Sequence, residues 1–295
     1  MEWLTSLRGA INYMEEHLLE PVTPADIGMA VNLSPFYLQK GFQIMTGYSL
    51  GEYIRCRRLY LAAMDLLAGG NKIIDVAYKY CYQTPESFAK AFSRFHGFPP
   101  SQVEKQRGKI KIFLPLKISI TIKGGYNVDY VVEKMDSFKV IGFEENIPMD
   151  RGYELCPKMW ERLMEQYLTS LWQGKEPGTD IERAVTENDI GVYGVCVDSG
   201  EDSFAYMVAG PYKGGQVPDG LTVREIPAAQ WARFRSPSAN TDSLQALNTQ
   251  IFQEWLPGNR EYDLAYPVNI EYYLCTGNVM EYEIWLPVAA KEKDQ

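Results

Sequence analysis

Apolar residues recur at steps of three and four through the first third of the chain, a pattern that predicts helices with one buried face. The first such stripe consists of Leu4, Leu7, Ile11, Met14 and Leu18. Thr23 followed by Pro24 is a typical helix start, because threonine caps the helix and proline fits its first position. A long helical stretch from Leu50 to Leu67 ends at two glycines.

One motif occurs twice in this helical region, at a constant offset of fifty residues: SPFYLQKGFQIMTG from Ser34 and TPESFAKAFSRFHG from Thr84. Each copy begins with a hydroxyl residue and proline, carries an apolar pair at i and i+4, and ends at glycine. A short helix and a tight turn precede each copy. The pattern therefore predicts two helix-turn-helix units joined by the long helix.

The second helix of such a unit places its first turns in the major groove of DNA, so the face opposite the apolar pair has to be polar. Gln39 can bind adenine through two hydrogen bonds, and Lys40 or Lys90 can bind guanine or phosphate. The predicted DNA contacts are Ser34, Phe36, Tyr37, Gln39 and Lys40 in the first copy and Thr84, Glu86, Ser87, Lys90 and Arg94 in the second.

Two units on one rigid connecting helix would meet successive major-groove segments about 34 Å apart. This spacing favours binding of an asymmetric double-stranded DNA site by a monomer over binding by a dimer. The alternative is a plain helical bundle, in which the repeated prolines and phenylalanines serve only as caps and core.

The pattern changes after Arg107, where apolar and β-branched residues alternate with polar ones and predict a strand from Ile110 to Ile122. More strand-like segments follow, with helical patterns at 155–172 and 242–256. We therefore expect an all-α domain over residues 1–108 and an α+β domain over residues 112–295, with the boundary near 108–112.

Charge is distributed unevenly between these two regions. The chain has a net charge of −9, but residues 1–111 hold 13 Lys and Arg against 10 Asp and Glu, a net of +3. Residues 112–295 hold the remaining 16 basic and 28 acidic residues, a net of −12. Because steering toward nucleic acid depends on the local field, the acidic average does not exclude DNA as a partner.

The composition is that of an ordinary globular protein, with 46% hydrophobic and 23% charged residues. No apolar run approaches the ~20 residues of a membrane span, and the N-terminus lacks a secretory pattern, so we expect a cytoplasmic protein without membrane contact. Five scattered cysteines form no C-x-x-C pair and only two histidines occur, so we expect reduced thiols and no metal or other cofactor.

Carboxylates alternate with aromatic residues in the last two strand-like segments. Glu271 and Tyr273 share one face of a strand, and Glu281, Glu283 and Trp285 share one face of the next. Carboxylates framed by aromatic rings can attract a hydrophobic cation by combining charge pairing with cation–π contact. The alternative is that these glutamates face water beside ordinary core aromatics.

Residues 4–107 resemble the DNA-binding domain of the AraC/XylS family of bacterial transcription regulators, especially its MarA and Rob branch. The resemblance rests on SPFYLQKGFQIMTGYSLGEYI, on Arg58, Leu59 and Ala62 of the long helix, and on DVAYKYCYQTPESFAKAFSRFHGFPPSQV. It implies base-reading or groove-facing roles for Phe36, Gln39, Lys40, Glu86, Ser87 and Lys90. Asn32 and Cys81 stand at turn positions where the family usually has glycine. The second helix is less basic than in the MarA branch, which implies weaker contact at the second half-site.

Residues from about 126 to 288 resemble the GyrI-like effector-binding domain through FKVIGFE, MWERLMEQYL, REIPAAQWARFR, IFQEWLPGNREYDLAYPVNIEYYL and YEIWLPV. The resemblance implies two pseudo-symmetric β-α-β-β halves that form an antiparallel sheet and leave a groove between them. It also implies that Glu271, with Tyr273, is the anionic partner of an effector. Further effector-binding candidates are Glu283, Trp160, Tyr193, Tyr206, Trp231 and Trp285.

Together these features predict a transcription regulator that is not an enzyme and whose second domain binds a small hydrophobic effector, cationic or aromatic. RNA polymerase is a further candidate partner. Two alternatives stay open. Some GyrI-like domains resemble hydrolases, in which case Glu271 or Glu283 would act as a base. Other domains of this fold bind proteins rather than small molecules.

Overall fold

The computed structural model describes residues 3–118, 129–200, 203–236, 241–276 and 279–291. The chain divides into two compact units, residues 1–123 and residues 124–295. The sequence pattern placed this division near 108–112. Among the described residues, no helix is long and apolar enough to cross a membrane.

Six helices form most of the described part of the first unit. They are α1 (Trp3–Glu16), α2 (Pro24–Val31), α3 (Pro35–Thr46), α4 (Leu50–Leu67), α5 (Ile73–Lys79) and α6 (Pro85–His96). Helices α2 and α3 make one helix-turn-helix unit, α5 and α6 make the second, and α4 joins them. Short 3₁₀ turns follow at Pro100–Gln102 and Arg107–Lys109.

The two second helices begin and end in the same way. The Ser34 hydroxyl accepts the Tyr37 N–H at 3.4 Å, and the Thr84 hydroxyl accepts the Ser87 N–H at 3.1 Å. Each satisfies one of the free N–H groups of a first helical turn. Helix α3 ends at Gly47 with φ 77°, and α6 ends at Gly97 with φ 84°. These left-handed positions favour glycine because it has no Cβ.

The turns inside the two helix-turn-helix units are also left-handed. Asn32 has φ 53° and Cys81 has φ 64°. Both stand where the sequence resemblance expects glycine, and asparagine tolerates this conformation better than most residues. The backbone path of the turn is therefore kept without glycine.

Each helix-turn-helix unit has its own apolar core. Leu38 and Phe42 of α3 pack with α1 and with Tyr53 of α4. Phe88 and Phe92 of α6 pack with α5 and with the second half of α4, with the two rings 5.5 Å apart. Helix α4 therefore contributes side chains to the cores of both helix-turn-helix units.

The segment 110–118 does not form the predicted strand. It runs without regular structure over the first unit, where Arg57 donates to the Phe113 carbonyl and the Leu116 N–H donates to the Tyr53 hydroxyl. The Phe113 ring packs against Tyr48 and Tyr53. The apolar residues of this segment cover the helical core, and helix side chains hold its backbone in place of a neighbouring strand. Residues 119–122 of the predicted strand lie outside the described residues.

The described residues of the second unit form a nine-stranded sheet in which every pairing is antiparallel. The strands are β1 (Tyr130–Met135), β2 (Phe138–Pro148), β3 (Tyr193–Gly200), β4 (Ser203–Pro211), β5 (Thr222–Ile226), β6 (Ala229–Arg235), β7 (Tyr262–Leu264), β8 (Val268–Thr276) and β9 (Val279–Ala290). The order is β1-β6-β9-β8-β3-β4-β2-β5, with β7 on β9.

Two long helical segments connect the strands, and each contains a π-helical turn. The first comprises α7 (Gly152–Leu163), a π turn (Met164–Leu168) and α8 (Thr169–Trp172). The second comprises α10 (Thr241–Gln250), a π turn (Ile251–Trp255) and α11 (Leu256–Gly258). The short helix α9 (Asp180–Glu187) precedes β3. These segments confirm the helical patterns predicted at 155–172 and 242–256.

The strand order confirms the predicted pair of β-α-β-β halves. Strands β2, β3 and β4 form the first half, and β6, β8 and β9 form the second. They lie in the sheet as β6-β9-β8 beside β3-β4-β2, so exchanging the halves reverses the order onto itself. The strand that precedes each half in the chain pairs with the other half. Strand β1 precedes the first half and pairs with β6, and β5 precedes the second half and pairs with β2. The two halves meet where β3 pairs with β8.

Candidate functional site

Helix α6 presents an exposed polar face. Phe88 and Phe92 are completely buried, and the side chains of the opposite face are open to solvent. These exposed residues are Thr84, Glu86, Ser87, Lys90 and Arg94. The second copy of the motif therefore has the accessible polar surface that the sequence predicts for a DNA-reading helix.

Helix α3 differs from α6 in the accessibility of the same positions. Phe36, Tyr37 and Gln39 are only 1%, 2% and 3% exposed, and the rings of Phe36 and Tyr37 meet edge to face at 5.2 Å. Ser34 and Lys40 are partly exposed. The helical period did not indicate this burial, because these three side chains lie away from the apolar pair at Leu38 and Phe42.

Glu271 lies at the junction of the two halves of the sheet, on β8. Its Oε2 accepts the hydroxyl of Tyr206 at 3.0 Å and the hydroxyl of Tyr273 at 3.0 Å. Trp160 of α7 donates its indole N–H to the Tyr206 oxygen at 2.8 Å, and its ring lies 4.4 Å from that of Tyr273. The structure thus brings together four of the predicted effector-binding residues, the Glu271 carboxylate and three aromatic side chains around it.

The two phenols beside Glu271 remain protonated donors. Burial raises the pKa of Tyr206 well above its usual value, and the negative charge of Glu271 raises it further. Burial also raises the pKa of Tyr273, with Glu271 as the second cause. Both causes disfavour a phenolate. Every hydrogen bond to Glu271 from the described residues therefore comes from a neutral group.

Glu283 of β9 has a different environment. Its Oε2 accepts two hydrogen bonds from the Arg233 guanidinium, at 3.0 and 2.8 Å, and one from the Trp285 indole at 2.7 Å. Arg233 also bonds Glu133 at 2.7 Å and stacks over the Trp285 ring at 4.8 Å. The charge of this buried carboxylate is therefore balanced within the protein.

The strand register places these two carboxylates on opposite faces of the sheet. Glu271 pairs with Gly194 and Ile284, whereas its neighbour Tyr272 pairs with Tyr193 and Glu283. Successive side chains of a strand point to opposite faces. The eight predicted effector residues therefore do not form one pocket. The Glu271 face carries Trp160, Tyr206 and Tyr273; the other carries Tyr193, Trp231, Trp285 and Glu283.

Sequence reasoning missed Arg233, which decides the environment of Glu283. Arg233 lies on β6 and pairs with Trp285 of β9. The two strands are separated by a helical segment and by β8, so no local sequence pattern indicates this contact. Among the described residues, no group of three or more His, Cys, Asp or Glu side chains is arranged to hold a metal ion.

Comparison with known families shows which family the chain belongs to. Residues 132–288, more than half of its length, match the family described as integron-associated effector binding protein. The chain belongs to this effector-binding family. Residues 28–106 of the effector-binding protein match a second family, the helix-turn-helix domain. The two matches fall one on each of the two compact units.

Relatives of the helix-turn-helix part are transcription regulators. The chain is 35% identical over 91 residues to the regulatory protein SoxS of Salmonella typhimurium, covering 31% of this chain and 85% of SoxS. It is 35% identical over 100 residues to the HTH-type transcriptional regulator YbfP of Bacillus subtilis, covering 34% of each. That match spans about a third of YbfP. These relationships support a DNA-binding transcription regulator of the AraC type with an effector-binding domain.

Solved structures similar to the second unit include SAV2435 bound to tetraphenylphosphonium. The identity to that chain is 16%, with a TM-score of 0.43, and the match covers 55% of the effector-binding protein and 94% of SAV2435.

Proposed function

We propose that the chain is a sequence-specific transcription regulator controlled by a small hydrophobic cation that binds at Glu271. The observation that carries the proposal is the environment of this carboxylate. It lies among Trp160, Tyr206 and Tyr273, and only neutral hydroxyl groups of the described residues bond to it. A negative charge with no cationic partner among the described residues is available to a ligand.

Glu271 offers a cation two kinds of attraction. Its Oε1 accepts no hydrogen bond from the described residues, so the carboxylate can pair with a positive charge. The partly exposed rings of Trp160 and Tyr273 lie beside it and can contact the apolar groups and the charge of the ligand. Charge pairing together with aromatic contact favours a lipophilic cation over a neutral molecule of the same shape.

The DNA-binding part of the proposal rests first on α6, where Lys90 and Arg94 are exposed on the face opposite the buried phenylalanines. These side chains can reach phosphates or guanine in the major groove. Gln39 of α3 is the strongest candidate for adenine recognition by type, but it is buried. Contact of Gln39 with a base therefore requires a change of conformation that exposes it. We expect the chain to bind DNA as a monomer, with RNA polymerase as a further partner.

A binding titration of the full-length chain with tetraphenylphosphonium tests the effector site. The Glu271→Gln variant keeps the shape of the side chain but loses its charge, so we expect the affinity for the cation to fall about 30-fold or more. Triphenylphosphine oxide, a neutral aromatic probe, should bind the two proteins equally. The control variant is Glu281→Gln, which removes a partly exposed carboxylate of β9 and should leave cation affinity unchanged. Unchanged affinity in Glu271→Gln would overturn the site.

Selection of bound sequences from a random double-stranded DNA library tests the DNA interface. Gln39→Ala should cost about 1–3 kcal/mol of binding free energy and relax the preference at one base pair. Lys90→Ala should weaken binding to all sequences to a similar degree if Lys90 contacts phosphate. Equal loss on selected and random DNA in Gln39→Ala would contradict direct base reading by this residue.

A further inference from the structure

Gly194 lies directly opposite Glu271 in the ladder between β3 and β8, at the junction of the two halves. A Cβ at this position would lie 2.6 Å from the Tyr206 hydroxyl oxygen and 2.8 Å from Glu271 Oε2. Both distances are too short for non-bonded carbon and oxygen atoms. Gly194 is not among the described residues with positive φ, so its backbone does not require glycine. Glycine is required instead because the carboxylate of Glu271 and the phenol of Tyr206 fill the space beside it.

Tyr206 is fixed by its own hydrogen bonds. Its side chain is fully buried, and its oxygen accepts the Trp160 indole N–H at 2.8 Å. A phenol has a single proton to donate. This proton reaches Glu271 Oε2 at 3.0 Å, and the Tyr273 hydroxyl, which donates its own proton to the same oxygen, lies beside it. A charged carboxylate is a stronger acceptor than a phenol, so the hydrogen bonds run from Trp160 through Tyr206 to Glu271.

The two oxygens of Glu271 have different roles in this arrangement. Oε2 is filled by the hydroxyl groups of Tyr206 and Tyr273. Oε1 accepts no hydrogen bond from the described residues. The phenols stabilise the charged form of the carboxylate without cancelling its charge, because each donor is neutral. A guanidinium in their place would balance the charge of the carboxylate, as Arg233 does at Glu283.

We propose that Gly194 and Tyr206 are positioning residues of the effector site, an inference that rests on the proposed function. Gly194 leaves the space in which Tyr206 and Glu271 meet, and Tyr206 turns the carboxylate so that Oε1 remains for the cation. The titratable groups that interact with Glu271 or with these phenols are Tyr153 and Cys156 of α7, Cys196 of β3, Tyr206 of β4 and Tyr273 of β8.

The dependence of binding on ligand charge separates positioning from simple packing. Tetraphenylphosphonium and triphenylphosphine oxide are similar aromatic probes that differ in charge, so the ratio of their affinities reports pairing with the carboxylate. Tyr206→Phe removes one hydroxyl that orients the carboxylate and leaves the ring. We expect the full-length variant to lose about fivefold or more of its affinity for tetraphenylphosphonium and to keep its affinity for triphenylphosphine oxide.

The outcomes distinguish this inference from the proposed function. An unchanged ratio of the two affinities in Tyr206→Phe, with or without a uniform loss of affinity for both probes, would overturn the positioning role and leave the effector site intact. Absence of cation binding by the unaltered chain would overturn both. Glu271→Gln should bind the two probes with similar affinity, because it has no charge to pair with the cation.

Gly194→Ala tests the steric part independently. We expect its affinity for tetraphenylphosphonium at pH 8 to fall about tenfold or more, because the new methyl group displaces the carboxylate. Adding Tyr206→Phe should restore part of that affinity, since it removes the oxygen that the methyl group meets at 2.6 Å. The control is Gly258→Ala, at a glycine with no atom within 4 Å of an added Cβ. Unaltered affinity in Gly194→Ala would overturn the steric role. If Gly194→Ala does not fold, Tyr206→Phe alone decides the inference.

Discussion

Glu271 and Glu283 lie on neighbouring strands of one sheet, each beside aromatic rings, yet they have opposite electrostatic environments. Glu283 accepts three hydrogen bonds at one oxygen, two of them from Arg233, and is buried. Glu271 accepts two, both from neutral phenols. The residue type is therefore the same at the two positions, and both have aromatic neighbours. The charge of the hydrogen-bond donors distinguishes the proposed cation site at Glu271 from Glu283.

The absence of a cationic partner at Glu271 among the described residues has a consequence for folding stability. A buried carboxylate without a cationic partner is less stable than one with a partner, because desolvation disfavours its charge. Glu271 is only partly buried, and two hydroxyl donors reduce that cost. Glu283 is closer to full burial and has Arg233. We therefore expect substitutions around Glu283 to change folding stability and substitutions around Glu271 to change ligand affinity.

Removal of the guanidinium should produce the largest change in stability. Arg233→Met keeps much of the apolar side chain but, among the described residues, leaves the buried Glu283 with only the exposed Arg235 guanidinium, 3.8 Å from its Oε1. Breaking a fully buried pair costs about 3–5 kcal/mol. Because the Arg233 side chain is 24% exposed, we expect a smaller loss of about 2–3 kcal/mol in the free energy of unfolding. Chemical denaturation of the full-length chain measures it.

Addition of Glu283→Gln to Arg233→Met provides the control for this prediction. The double variant no longer buries an unpaired charge, so it should recover part of the lost stability. A double variant as unstable as the sum of its two single variants would show that Arg233 acts through packing on Trp285 rather than through its charge.

The matched pair Glu283→Gln and Glu271→Gln tests the comparison itself. Glu283→Gln leaves Arg233 with Glu133 as its remaining close partner, and we expect the free energy of unfolding to fall by about 1–2 kcal/mol with cation affinity unchanged. Glu271→Gln should change stability by less than about 1 kcal/mol, because an amide oxygen can still accept both phenols. If both variants lost cation affinity equally, the two carboxylates would have the same function.

Much of the helical unit could be predicted because its signals are local. A hydroxyl cap with proline after it and a glycine at the end are each short patterns, and they place both ends of α3 and α6. The burial of Phe36, Tyr37 and Gln39 is not a local property. Their positions on the helix lie away from Leu38 and Phe42, so periodicity assigns them to the open face. Segment 110–118 has strand-like alternation, but alternation does not distinguish a strand from a chain that covers a core.

The face of the sheet on which Glu271 lies was also predictable, because alternation along a strand is a local signal. Alternation along one strand places Glu271 and Tyr273 on one face, and their hydrogen bond confirms it. The balance of charge at Glu283 depends on Arg233, about fifty residues earlier, and on the register of β6 against β9. Register between strands that are distant in sequence follows from the folded sheet rather than from either strand alone.

Tyr273→Phe should have an intermediate effect, confined to the Glu271 side. It removes one of two donors to a partly buried carboxylate, so we expect the free energy of unfolding to fall by about 1 kcal/mol. The loss should be smaller in protein saturated with tetraphenylphosphonium, because the bound cation then stabilises the same charge. Unfolding measured with and without the cation gives both values. An equal loss in both conditions would contradict charge stabilisation by this hydroxyl.

Glu133→Gln should have the smallest effect, although it removes an ion pair of 2.7 Å with the same arginine that pairs with Glu283. The Glu133 side chain is 52% exposed, and solvent screens exposed pairs, so we expect a change of at most about 0.5 kcal/mol in the free energy of unfolding. The comparison with Glu283→Gln holds the partner, Arg233, constant, while burial and the number of hydrogen bonds to the carboxylate differ. Equal losses in the two variants, measured by the same denaturation experiment, would show that burial does not set the strength of these pairs. The distinction between Glu271 and Glu283 would then need another cause.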